Sequence, residues 1–154
     1  MSPDRNAASP MSGLVTCHIE LQIQTTGRTF SDITPAVTGW IARSRLGSGV
    51  VTLFIRHTSA SLLVQENTDR DVQRDLTHLL SDLAPESRRW RHSLEGPDDM
   101  PAHAKTALTA TSLSIPVIDG RLALGQWQAI YVAEHRAQGH RRDVVASFVG
   151  TPAA

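Results

Sequence analysis

Val15, Cys17, Ile19, Leu21 and Ile23 alternate with polar residues through "VTCHIELQIQT". A period of two puts one apolar and one polar face on an extended chain, which predicts a half-buried strand. A protein that opens on such a strand must cover one face of a sheet, and later segments supply the means. "VVTLFIRH" (50–57) is a β-branched apolar run suited to a buried strand. "SASLLVQ", "SLSIPVI", "RLALG", "QWQAIYVAEHR" and "RRDVVASFVG" read as further strands, with Asp119-Gly120 as a turn.

Helical patterns interrupt these strands. "SDITPAVTGWIARS" predicts a short helix, with Thr34 as candidate cap and Pro35 in the first turn. In "NTDRDVQRDLTHLLSDLAP", Asn67, Thr68 or Asp69 can cap, Val72, Leu76, Leu79, Leu80 and Leu83 form a stripe, and Pro85 stops the helix. "MPAHAKTALTAT" predicts another helix after a long polar loop, residues 86–99. The element order then reads β-α-β-β-α-β-β-β-β. That is an α+β protein of mostly antiparallel sheets packed with two main helices. Residues 1–12 lack periodicity and read as a disordered tail, with 13–150 as one domain.

Composition narrows the function. Fifteen basic and fifteen acidic residues leave no net charge, which argues against nucleic acid as partner. No apolar run is long enough to span a bilayer, and Cys17 is a lone thiol, so a cytoplasmic protein without a disulfide framework is expected. Neither a Walker loop nor GxGxxG is present, which excludes nucleotide folds of those types. Lys105 is the only lysine, so the cations are otherwise planar, bidentate arginines.

Seven histidines are many for 154 residues. His18 and His78 fall on polar faces and His92 in the long loop. His57, His103, His135 and His140 fall at the ends of predicted elements. His103 is expected in the first turn of its helix, where the macrodipole favours neutral imidazole, the form that binds metals. Asp98 and Asp99 stand just upstream as caps or site carboxylates. Arg136, Arg141 and Arg142, with hydroxyls at Thr58, Ser59 and Ser61, suit an anionic or phosphorylated ligand.

"RHTSASLLVQEN", "EGPDDMPAHAKTALTATSLSIPV", "GRLALGQWQAIYVAEHR" and the "RR" at 141–142 together resemble the YjbQ-like family, known as secondary thiamine-phosphate synthases. The resemblance implies a compact α+β unit assembled as a homotrimer through its sheets. It implies catalytic roles for His57, Glu66, Asn67, His103 and Glu134, and substrate contacts at Thr58, Ser59, Arg136, Arg141 and Arg142. A divalent metal, zinc or magnesium, is expected on His57, His103 and His135. Trp127 and Gln128 are expected to order the sheet. The implied reaction joins hydroxymethylpyrimidine diphosphate to thiazole phosphate with release of pyrophosphate. A metal-dependent hydrolase or lyase of a small anionic metabolite, or a non-catalytic ligand-binding trimer, are the other readings.

Overall fold

A computed structural model describes residues 13–154, so the expected tail at 1–12 lies outside the described residues. The chain runs β1 (Val15–Gln24), β2 (Phe30–Asp32), α1 (Thr34–Arg43), β3 (Leu46–Ile55), β4 (Ala60–Glu66) and α2 (Arg70–Leu83). It continues as α3 (Asp99–Leu108), β5 (Ser112–Ile118), β6 (Arg121–Leu122), β7 (Gln128–Glu134) and β8 (Arg141–Pro152). The α+β reading holds, with two differences. β2 is an added three-residue strand, and the order takes in both α2 and α3, each expected as a helix, between β4 and β5, which makes three helices with α1.

The strands form an antiparallel sheet of five, ordered β1-β8-β3-β5-β6, and one of three, ordered β2-β7-β4. The alternation in β1 is realised: Cys17, Ile19 and Leu21 pair with Phe148, Ala146 and Val144 of β8, which are fully buried. Val51, Leu53 and Ile55 from the large sheet meet Leu62, Ile130 and Val132 from the small one, and Val37, Trp40 and Ile41 of α1 close the same core. Burying such side chains stabilises the fold by about 1.5–3 kcal/mol each.

Thr34 begins α1 but does not cap it; its hydroxyl accepts from the Ile130 backbone N–H at 2.8 Å, tying the helix to β7. Asp69 caps α2, accepting from the Asp71 N–H at 2.9 Å. Gln128 orders the turn before β7, its side-chain oxygen accepting from the Gly125 N–H at 2.7 Å. Trp127 departs from expectation: its side chain is 56% exposed and covers no core. Among the described residues no helix is long and apolar enough to cross a membrane.

Two turns meet where the chemistry concentrates. The β1–β2 turn and the β7–β8 link are joined by backbone bonds from Thr25 to His140 and from Arg28 to Arg136, each 3.0 Å. A Cβ at Gly27 would lie 1.8 Å from the Ala137 carbonyl oxygen, and one at Gly139 would lie 2.1 Å from that of Thr25. Only glycine permits so close an approach.

A histidine–carboxylate cluster and a buried ion pair

α3 starts at Asp99, the residue before "MPAH", so His103 is its fifth residue rather than part of the first turn. The i,i+4 spacing brings both side chains to one face. Asp99 is buried; its Oδ2 lies 2.6 Å from His92 Nε2 and 3.2 Å from His103 Nε2. Glu95 approaches from the long loop, its Oε2 3.8 Å from His92 Nε2. Donor atoms from His92, Glu95, Asp99 and His103 all lie within 4.8 Å of one another, and no other such group of three or more exists among the described residues.

The ring of His103 is oriented by a backbone carbonyl. Its Nδ1 lies 2.9 Å from the Thr58 carbonyl oxygen, which only accepts, so Nδ1 carries the hydrogen. In the neutral ring Nε2 is then a lone pair facing a carboxylate oxygen. Two acceptors at that distance repel unless a cation, proton or metal stands with them. A carbonyl-anchored histidine whose other nitrogen faces a carboxylate is the arrangement of a metal ligand with its outer partner in place. Two imidazoles with two carboxylates suit zinc or a neighbouring transition metal, whereas magnesium prefers an all-oxygen shell.

Arg136 fastens this cluster to the β7–β8 link. Its Nε donates to Asp98 Oδ2, Nη1 to Asp99 Oδ1 and Nη2 to the Glu95 carbonyl, each at 2.9 Å. Asp98 also accepts from the Ala137 N–H, and its side chain makes no helix cap. Burial alone would raise the Asp99 carboxyl, but hydrogen bonding at His92 and the charges of His103 and Arg136 outweigh it and hold the pKa low.

A second cluster is fully internal. Glu134 Oε2 accepts from Arg142 Nε and Thr25 Oγ1, each at 2.7 Å; Oε1 accepts from Arg142 Nη2 at 2.5 Å and the Arg136 N–H at 3.0 Å. Arg142 Nη2 also reaches Ser59 Oγ at 3.0 Å. Burial works to raise the Glu134 carboxyl, and the Arg142 and Thr25 hydrogen bonds reverse that and lower it. His57 sits beside this pair, its Nε2 accepting from the Asp143 N–H at 2.8 Å. Burial, then the Arg142 charge, lowers its pKa.

The family model described as UPF0047 protein YjbQ-like matches residues 19–151. The chain belongs to this family. It is 46% identical over 131 residues to UPF0047 protein sll1880 of Synechocystis, covering 84% of this chain and 89% of that one. Against UPF0047 protein YjbQ of Escherichia coli O157:H7 the identity is 36% over 131 residues, covering 84% and 95%. A solved YjbQ/UPF0047 protein of Clostridium acetobutylicum superposes with a TM-score of 0.76 at 33% identity, covering 86% of this chain and 99% of that one. A YjbQ-like protein of Sulfolobus solfataricus shares the fold, with a TM-score of 0.82 at 22% identity over 90% and 99% of the chains.

Within this YjbQ-like chain the expected site residues separate. His57, His103 and His135 do not form one metal trio, because each is held by a different element: Asp143, Thr58 with Asp99, and Ser61. Thr58 contributes its carbonyl rather than its hydroxyl, and Ser59 serves Arg142. Arg136 and Arg142 are not free for an anion, since carboxylates inside the fold take their guanidinium groups. Arg141 is exposed. Glu66 and Asn67 lie where β4 leads into α2; Glu66 accepts from the Asp69 N–H, and Asn67 donates to the Gln126 carbonyl. The residues sequence reasoning did not assign as ligands are His92, Glu95 and Asp99. Only the Asp99–His103 spacing of four carried a signal, since residues 92–98 lie in a non-helical loop.

His135 is 4% exposed and lies 2.8 Å from Ser61 Oγ. Burial, then the Lys105 charge, lowers its pKa from 6.5 to about 4. Between those values the unfolded chain binds the proton and the folded chain does not, so stability is complete above pH 6.5 and is lost as pH falls toward 4. The expected loss is about 3 kcal/mol. Urea unfolding at pH 7 and pH 4.5 measures it; a His135→Gln variant with the same pH slope would refute the assignment.

Proposed function

We propose that this YjbQ-like chain is a metal-dependent enzyme acting on a small anionic metabolite at the His92–Glu95–Asp99–His103 cluster. The observation that supports this most is the convergence of His92, Glu95, Asp99 and His103, whose donor atoms lie within 4.8 Å of one another, with His103 Nε2 aimed at Asp99 Oδ2 while the Thr58 carbonyl holds Nδ1. When bound, a divalent ion there would supply Lewis acidity toward a phosphoryl or carboxyl oxygen. The chain's own residues do the rest: Thr58 orients the His103 ring, Arg136 positions both aspartates, and exposed His92 and Glu95 leave the solvent side open to substrate.

Thiamine-phosphate synthesis is the specific reaction we assign to test first. A diphosphate leaving group needs its charge neutralised. With Arg136 and Arg142 engaged internally, His92, Glu95, Asp99 and His103 would hold a divalent ion, which when bound would supply that neutralising charge. Untagged protein is expected to retain about one zinc or similar ion per chain and to turn over the two thiamine precursors. Metal without that turnover favours a hydrolase or lyase. Failure to bind any divalent metal on titration overturns the reading and leaves a non-catalytic binding protein. The half-buried free thiol of Cys17 underlies a cytoplasmic placement.

We also assign a homotrimer built through the large sheet. On its outer face Val50 pairs with Val149 and Phe54 with Val145, and Val50, Phe54 and Val149 are each about half exposed. An apolar stripe along two central strands is the kind of surface that association covers. Sedimentation is expected to show three chains, and Phe54→Asp to yield monomers; a wild-type monomer at micromolar concentration would refute the assembly.

A further inference from the structure

A groove with a largely polar lining lies beside α2. α2 carries a complete apolar stripe, yet none of its fourteen residues is buried. An amphipathic helix ordinarily seats that stripe on the core. The polar flank of α2, with Arg70, Gln73, Arg74 and Thr77, borders a groove of about 650 Å³, within the usual range of roughly 300–1,000 Å³ for small-molecule sites. Phe30 and Tyr131 line it, their rings tilted with centroids 6.2 Å apart. Arg28, Arg70 and Arg74 line it against one acid, Asp32. Arg28 pairs with Glu86 and Arg74 with Asp71, while Arg70 has no ion pair among the described residues.

Beyond the groove lies a small void that shares Arg28, Phe30 and Thr77 with it and reaches Lys105, Glu134 and His135. At about 10 Å³ it admits one oxygen-sized group. Lys105 is 5% exposed, and its one side-chain hydrogen bond among the described residues is a 3.3 Å contact to Ser81 Oγ. An ammonium has three N–H donors, and burying it unpaired is costly. Neither neighbour relieves it: both Glu134 oxygens are taken by Arg142, Thr25 and the Arg136 N–H, and His135 Nε2 is engaged by Ser61.

We propose that the groove binds a small planar molecule bearing one phosphate or carboxylate, its ring against Phe30 and one anionic oxygen directed to Lys105. The site is independent of the metal cluster, whose four residues do not line it.

Calorimetric titration with phenyl phosphate, benzoate and inorganic phosphate tests this, and the first two arms distinguish the anion types. Phenyl phosphate or benzoate is expected to saturate one site per chain, with inorganic phosphate at least about tenfold weaker. Lys105→Met is expected to weaken binding by at least about tenfold, the loss of a charge-assisted contact. Should that variant fail to fold, Thr77→Phe, which enlarges a side chain bordering both the groove and the void, is expected to abolish binding, and Arg70→Ala to weaken it several-fold. No saturable binding up to about 10 mM, or unchanged affinity in both Thr77→Phe and Arg70→Ala, overturns the proposal. Loss of binding after chelator treatment would place the anion at the metal cluster and overturn it as well.

Discussion

His103→Ala is expected to lower zinc affinity by at least about a hundredfold, measured by competition with a chromophoric chelator. Losing an outer partner of a metal ligand already costs about 10–100-fold, and this change removes the ligand itself. His103 Nε2 faces Asp99 Oδ2 at 3.2 Å because Thr58 holds the other ring nitrogen. His92→Ala is expected to cost less, since that side chain is exposed and freer to move. Asp99→Asn, which keeps shape but removes charge, is expected to fall as far as His103→Ala. An affinity for zinc within threefold of wild type in His103→Ala would remove this residue from the metal site.

The largest expected effect on stability comes from the pair at the end of β7. Arg142→Met leaves the Glu134 carboxylate buried with only Thr25 and one backbone N–H as partners. Breaking a buried pair from one side costs about 3–5 kcal/mol, because the remaining charge has no counterion. For a domain of this size that lowers the melting temperature by roughly 6–20 °C. Glu134→Gln is expected to be comparably harmful, whereas Glu134→Leu with Arg142→Met should recover much of the loss. Calorimetric melting of the three variants decides it; a single variant that melts with the wild type would mean the pair contributes nothing net.

The α+β layout was legible because its signals are local. Alternation in β1 and the apolar run of β3 each require burial of a face, and Asp69 and Pro85 bracket α2. β2 was not legible: Phe30, Ser31 and Asp32 carry little pattern and are extended because β7 pairs with them. The family resemblance directed attention to His103 and Glu134, but partnership was beyond it. Whether an arginine binds substrate or a carboxylate of its own chain depends on how the 86–99 loop returns to the β7–β8 link. Arg136 resolves that toward Asp98 and Asp99. His92 stood in an unpatterned loop, and only the fold brings it against the first residue of α3.

The burial of Lys105 bears on how this protein meets amine-directed chemistry. No other lysine exists in the chain, so no other side-chain amine competes with it for an acylating reagent. The void beside Lys105 admits no more than an oxygen-sized group, so an acylating reagent does not reach its nitrogen while α3 stays against α2, where the ammonium touches Ser81. Acylation at this one position therefore times the opening of that helix pair, in the way amide exchange times local unfolding. A single mass increment, read in peptides cut at arginine, would report it without any label being engineered.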